Sequence, residues 1–197
     1  MLATEEINSL LDITDAYQAP GRMLELMLDD VKRKETFLKF LDREYHMDYE
    51  WFQSYYEQEH AQRKTNKQDF TPQSLSTLLA RLVSGNNYHE TACGNGGILI
   101  KHWHEQRMRV GIGNYNPKMF WYHAEELSDR AIPFLIFNMA IRGINGVILH
   151  GDSLERSFKN VYFIRNMDEQ YGSFSEVIKM PHSERLMNEL NIMKYRE

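Results

Sequence analysis

Three groups of residues have the types and spacing to do chemistry together. Gly94, Gly96 and Gly97 fall in Cys93-Gly94-Asn95-Gly96-Gly97, between an extended segment and an apolar one. A turn without Cβ atoms lets backbone approach a ligand, and a helix opening after it aims unpaired N–H groups there. The run is not a Gly-x-Gly-x-x-Gly fingerprint, because Leu99 holds the last position. Nor is it a Walker loop, since no Gly-Lys-Ser/Thr follows. The second group is Glu125-Glu126, where alternation of Phe120, Tyr122 and Ala124 with Glu126 selects Glu126. An acid ending a strand there accepts from ribose hydroxyls. The third is Gly151-Asp152-Ser153, whose carboxylate could accept from an exocyclic amine such as that of adenine. Glycine turn, ribose acid and amine acceptor, each closing a successive strand, describe one cleft for a nucleoside-like cofactor.

These residues need a scaffold, and the pattern supplies an alternating one. Strands are expected at Tyr88 to Ala92, Phe120 to Glu126, Val147 to His150, Asn160 to Arg165 and Phe174 to Met180. Helices are expected after Gly97, over Asp129 to Arg142 and over Ser183 to Lys194. Such alternation predicts a parallel α/β sheet. Upstream, Thr71 is placed to cap a helix with Pro72 at its first position and Leu75, Leu78, Leu79 and Leu82 on one face.

Residues 1–65 read as a helical subdomain, with Pro20-Gly21 separating two stretches and an aromatic cluster at Tyr49, Trp51, Phe52, Tyr55 and Tyr56. That cluster suits packing better than base stacking. Residues 62–69 look like a linker, and 66–197 form the α/β domain. The net charge of −5 divides into −6 over residues 1–65 and +1 beyond. The acidity therefore does not forbid nucleic acid near the cleft, and Arg107, Arg109, Lys118 and Arg130 could touch phosphate. One cysteine among 197 residues excludes an internal disulfide. No apolar run is long enough to span a membrane, and the first residues do not resemble a secretory signal, so a cytoplasmic protein is expected. His102 and His104 are two apart on a helix and face apart. His89, His123 and His150 are assigned to packing or hydrogen bonding and Cys93 to packing, so no metal site is expected.

With these motifs in place, the chain resembles the N6-adenine DNA methyltransferases, in particular the modification subunits of type I restriction systems. Asp69-Phe70-Thr71-Pro72 resembles the family's Phe-Thr-Pro loop, which contacts the methionine part of S-adenosylmethionine. Glu90-Thr91-Ala92-Cys93-Gly94-Asn95-Gly96-Gly97 is similar to Asp-Pro-Ala-Cys-Gly-Ser-Gly-Gly. Asn138-Met139-Ala140-Ile141-Arg142-Gly143-Ile144, then Gly151-Asp152-Ser153-Leu154, resembles Asn-Met-x-Leu-x-Gly-Ile … Gly-Asp-Ser-Leu. The resemblance covers about residues 65–165. It implies a Rossmann-like S-adenosylmethionine-dependent methyltransferase fold with an N-terminal helical subdomain. The cofactor residues it implies are Phe70, Thr71, Pro72, Glu90, Ala92, Cys93, Gly94, Asn95, Gly96, Gly97, Glu126, Asp152 and Ser153.

The family's catalytic Asn/Asp-Pro-Pro-Tyr/Phe has no intact counterpart. After Val161-Tyr162-Phe163-Ile164 the chain reads Asn166-Met167-Asp168-Glu169. Such a clamp holds the adenine amine toward the methyl donor while an aromatic ring stacks on the flipped base. Asn166 stands where the acceptor belongs, without the prolines or the ring. Three readings follow. The first is a methyltransferase-like protein that keeps the cofactor motifs without the clamp and binds DNA, cofactor or a partner. The second is an active DNA adenine-N6 methyltransferase with Asn166 as catalytic residue and Tyr171 stacking. The third is an interaction module whose acidic residues 1–65 capture a protein partner or a second copy.

Overall fold

The computed structural model describes residues 2–53, 55, 71–169 and 172–196. The linker at 62–69, the boundary at 65, and Phe70, Tyr56 and Tyr171 lie outside the described residues.

Strands β1 (Asn87–Thr91), β2 (Trp121–Glu126) and β3 (Gly146–Asp152) are parallel neighbours in that order. Helix α5 (Gly97–Val110) joins β1 to β2, and α6 (Ile132–Ile141) joins β2 to β3. Both crossovers step the same way across the sheet, so a common handedness puts both helices on one face. Tyr88 of β1 stacks on His102 of α5 with ring centroids 4.2 Å apart. Every residue of α6 is buried, and its composition is apolar nearly all round, as a helix enclosed by protein requires.

The expected parallel pairing holds for β1, β2 and β3 and ends there, so the sheet is mixed. Strand β4 (Ser157–Arg165) pairs antiparallel with β3, and β5 (Glu176–Met180) antiparallel with β4. Residues 153–156 are too few for a crossover, so the chain can only turn back as a hairpin. A short β6 (Lys194–Tyr195) lies parallel to the start of β4. Along β1-β2-β3-β4-β5, β1 is an edge among the described residues.

The first fifty residues fold as α1 (Thr4–Leu11), α2 (Ala19–Leu28) and α3 (Asp30–Leu41). Pro20 and Gly21 fall in the first turn of α2 instead of separating helices, because proline is tolerated where the N–H is unpaired anyway. The break comes at Asp29, whose carboxylate accepts from Val31 N and Lys32 N and caps α3. These helices do not stand apart from the sheet. Phe137 of α6 meets Phe37, Phe40, Trp51 and Phe52 at centroid separations of 5.2, 4.8, 6.1 and 5.1 Å. The aromatic cluster therefore packs, and α1–α3 share one core with α6. Truncating Phe137 to Ala at the middle of that cluster would cost about 3–5 kcal/mol.

Helix α4 (Gln73–Leu82) begins one residue later than expected, with Pro72 and not Thr71 at the N-cap position. Its apolar face points outward. Leu75, Leu78, Leu79 and Leu82 are exposed, while the buried Ser76 and Ala80 lie on its other side, and α4 packs against α5. Among the described residues, the second sheet face is covered at β3 and β4, where α7 (Glu184–Leu190) and Ile192 pack on Val147, Leu149, Phe158 and Val161. Ser183 caps α7 through its hydroxyl to Leu186 N.

Candidate functional site

The glycine turn leaves β1 through three left-handed residues, Ala92 at φ 55°, Gly94 at 57° and Gly96 at 91°. This conformation compresses five residues between strand and helix and leaves open space where Cβ atoms at Gly94 and Gly97 would lie. A Cβ on Gly96 would come 2.9 Å from Leu135 Cδ1, so that glycine serves the approach of α6.

Glu126 ends β2 beside the turn. Its Oε2 accepts from Gly94 N at 2.7 Å and its Oε1 from Ser128 N at 2.8 Å. Two backbone donors fix the carboxylate, whose remaining lone pairs are free to accept from hydroxyls. Glu126 and Glu125 take opposite sides of the sheet. Glu125 turns to the other sheet face, where Arg156 Nη1 reaches its oxygens at 2.6 and 2.8 Å.

The turn is held from below by the Asn138–Gly143 motif, a link that sequence reasoning noted as similarity but did not read as positioning. Asn138 Nδ2 donates to Asn95 O and to Glu50 Oε1, both at 2.9 Å. Arg142, one turn later, donates to Asn138 Oδ1, Met47 O and Tyr49 O. The four-residue spacing on a helix was the available signal, since it stacks the two side chains on one face. The Asn95 side-chain amide is itself buried with neither end bonded among the described residues. A buried unpaired amide costs about 1–3 kcal/mol unless something binds it.

Glu90, at the end of β1, accepts from the Tyr88 hydroxyl at 2.8 Å. Burial, with the Glu126 charge nearby, outweighs this bond and pushes the Glu90 carboxyl up to about 7. Cys93 is enclosed, and burial followed by the Glu90 and Glu126 charges pushes its thiol well up, which disfavours a thiolate nucleophile.

Among the described residues, no hydrogen bond or ion pair ties Asp152 or Ser153 to this cluster. Asp152 Oδ1 accepts from Leu154 N at 2.9 Å and Glu155 N at 3.0 Å, which closes the β3–β4 turn. The Ser153 side chain hydrogen-bonds Glu125 on the opposite face. Thr71 and Pro72 precede α4 without a side-chain cap.

Asn166 lies at the far edge. Because β4 is antiparallel, its end returns to the start of β3, where Ile164 pairs with Gly146. Asn166 N donates to Asn145 Oδ1, and Asn166 Nδ2 donates to Gly143 O and Ser173 O at 3.2 Å each. Asn145 O in turn accepts from Tyr122 N at the base of β2. From that level to Glu126 is about 13 Å of strand at 3.3 Å per residue. The structure therefore does not bring Asn166 to the glycine turn, and the position expected for a clamp serves the strand connection instead.

The groups at the upper edge fit the chemistry of S-adenosylmethionine in three respects. There is backbone free of Cβ at Gly94 and Gly97, an anchored carboxylate at Glu126, and an orphaned amide at Asn95.

A family model described as N-6 DNA Methylase matches residues 46–183. The methylase subunit of the type I restriction enzyme MpnII of Mycoplasma pneumoniae is 26% identical over 126 residues, covering 60% of this chain. The matched stretch is 22% of that relative, so the chain spans well under half its length. No solved structure matches the chain.

Proposed function

The chain belongs to the N-6 DNA methylase family, and from that premise we propose that it binds S-adenosylmethionine at the Gly94–Gly97 turn, lacks the family's catalytic clamp and acts as a cofactor- and DNA-binding or partner protein. The observation that carries this reading is the hairpin between β3 and β4. It sends Asn166 to the sheet edge opposite Glu126 and leaves β1 with no neighbour on its outer side among the described residues. In doubly wound sheets the ligand crevice forms where strand order reverses, with strands on both sides of the first one. Here half of that crevice is supplied.

The residues divide the work as follows. N–H groups at the start of α5 and the Gly94 and Gly97 backbone cradle the polar centre of the ligand. Glu126 accepts from ribose hydroxyls, and Asn95 meets an amide or carboxylate group of the amino-acid part. Phe70, Thr71 and Pro72 precede α4, which packs on α5. Glu90, titrating near neutrality, sets the charge beside the cleft. S-adenosylmethionine, when bound, supplies an electrophilic methyl group, and its transfer to adenine then requires an acceptor clamp from elsewhere. The relative is a subunit of a restriction enzyme, and the partner role proposed for this chain takes that precedent. Exposed acids at Glu5, Glu6, Asp12, Asp15 and Glu35 offer a surface for a basic partner.

Calorimetry with S-adenosylmethionine, alongside labelled-methyl transfer to mixed-sequence DNA, tests the reading. Binding without transfer is expected. Absence of binding removes the cofactor role, and transfer by the chain alone overturns the missing clamp.

A further inference from the structure

The second face of the sheet carries a cluster that the cofactor reading does not use. Parallel register sets His89 of β1 directly opposite His123 of β2. Alternation along β2 places Glu125, two residues on, on the same face. His123 Nε2 lies 2.9 Å and His89 Nε2 3.3 Å from the same oxygen, Glu125 Oε1. The three atoms all fall within 4.8 Å of one another.

We propose that His89, His123 and Glu125 form a binding site for a divalent ion of the Zn2+ class that clamps β1 to β2. A tetrahedral ion with bonds of about 2.0–2.1 Å needs ligand atoms about 3.3 Å apart, the spacing these atoms already approach. Two imidazoles with one carboxylate favour Zn2+ and other late first-row ions over Mg2+ or Ca2+, which take oxygen shells. Without an ion, two imidazole nitrogens and the Arg156 guanidinium converge on one carboxylate oxygen, which requires both Nε2 atoms to be protonated. An ion between the imidazoles relieves that crowding.

The surroundings orient the ligands. Arg156 is anchored by Leu190 O at 2.7 Å and Asn191 O at 2.9 Å, and it holds the Glu125 carboxylate in place. Its charge makes the site weaker than a closed structural zinc site. Glu125 is fully buried, His123 is largely covered, and the His89 side chain is 55% exposed. The fourth position therefore opens to water on the His89 side. This arrangement gives the edge strand a second hold on the sheet. Among the described residues β1 pairs only with β2, and it leads straight into the glycine turn.

The test titrates Co2+ and Zn2+ into the full metal-free chain. Expected are a tetrahedral Co2+ visible band saturating at one ion per chain, displacement of it by Zn2+, and a Zn2+-dependent rise in melting temperature. Mg2+ should give neither. His89→Ala is exposed enough to fold normally, which circular dichroism checks. It and His123→Ala should each weaken binding at least tenfold and abolish the melting shift. No Co2+ band, or a band and shift that survive both substitutions, overturns the site.

Discussion

Gly94 donates its backbone N–H to Glu126 Oε2 at 2.7 Å, tying the turn after β1 to the end of β2. The bond fixes where the carboxylate stands. It also means that the two groups most suited to a nucleoside ligand are set against each other before any ligand arrives. A charged hydrogen bond to a hydroxyl contributes about 1.5–3 kcal/mol. Glu126→Gln keeps the shape but turns one acceptor oxygen into a donor. S-adenosylmethionine affinity should then fall by roughly tenfold or more in calorimetry, while an unchanged affinity would take Glu126 out of the site.

The turn's left-handed residues make opposite forecasts for two small substitutions. Ala92 sits at φ 55°, a region that disfavours a side chain by about 1–2 kcal/mol. Ala92→Gly relieves that and loses some back to unfolded-chain freedom, for a net gain of about 0.5–1 kcal/mol. Gly96→Ala adds strain at φ 91° and a 2.9 Å approach to Leu135, and should lose about 2–3 kcal/mol. Urea unfolding midpoints should therefore run Ala92→Gly, wild type, Gly96→Ala from highest to lowest, and the reverse order would refute the turn geometry.

Much of this was legible in the chain itself. Glycines needing positive φ, an acid at the end of alternating Phe120–Glu126, and an apolar α6 all announce themselves locally. What local pattern hid was set by distance. Asn166 follows a strand that reads the same whether parallel or antiparallel, and only the short 153–156 connection reveals its direction. Leu75, Leu78, Leu79 and Leu82 form a helical face as expected, yet periodicity says nothing about whether a neighbour covers it. His89 and His123 are 34 residues apart, and only register brings them together. The His123–Glu125 spacing was visible, though as a strand signal and not the helical one applied to His102 and His104.

Glu50 gives a pH prediction. It is buried beside Asn138, and burial raises its carboxyl from 4.5 to about 7 despite hydrogen bonds from Asn138 and Phe52. A raised folded-state value means that its full contribution is present below about 4.5 and is lost as pH rises through 7. The shift corresponds to something on the order of 3 kcal/mol. Glu50→Gln does not titrate. The stability gap between variant and wild type should therefore move in the variant's favour between pH 4.5 and 8, mostly across that window. A gap that stays flat over this range in denaturant unfolding would show that Glu50 keeps an ordinary carboxyl.

Asn166 separates the structural account from a catalytic one. Its amide donates to Gly143 O and Ser173 O and its Oδ1 accepts from Asp168 N at 2.9 Å, all at the lower edge of the sheet. Asn166→Ala leaves the buried Gly143 carbonyl and the part-buried Ser173 carbonyl without this donor. The loss should be about 2–3 kcal/mol in unfolding free energy. The backbone pairing with Asn145 survives, because it uses main-chain atoms of Asn166. Since about 13 Å of strand separates that level from Glu126, S-adenosylmethionine affinity measured well below the melting temperature should not change. A variant that stays as stable as wild type but binds the cofactor more weakly would put Asn166 at the cleft. The hairpin order of β3 and β4 would then be wrong, and with it the case for a missing clamp.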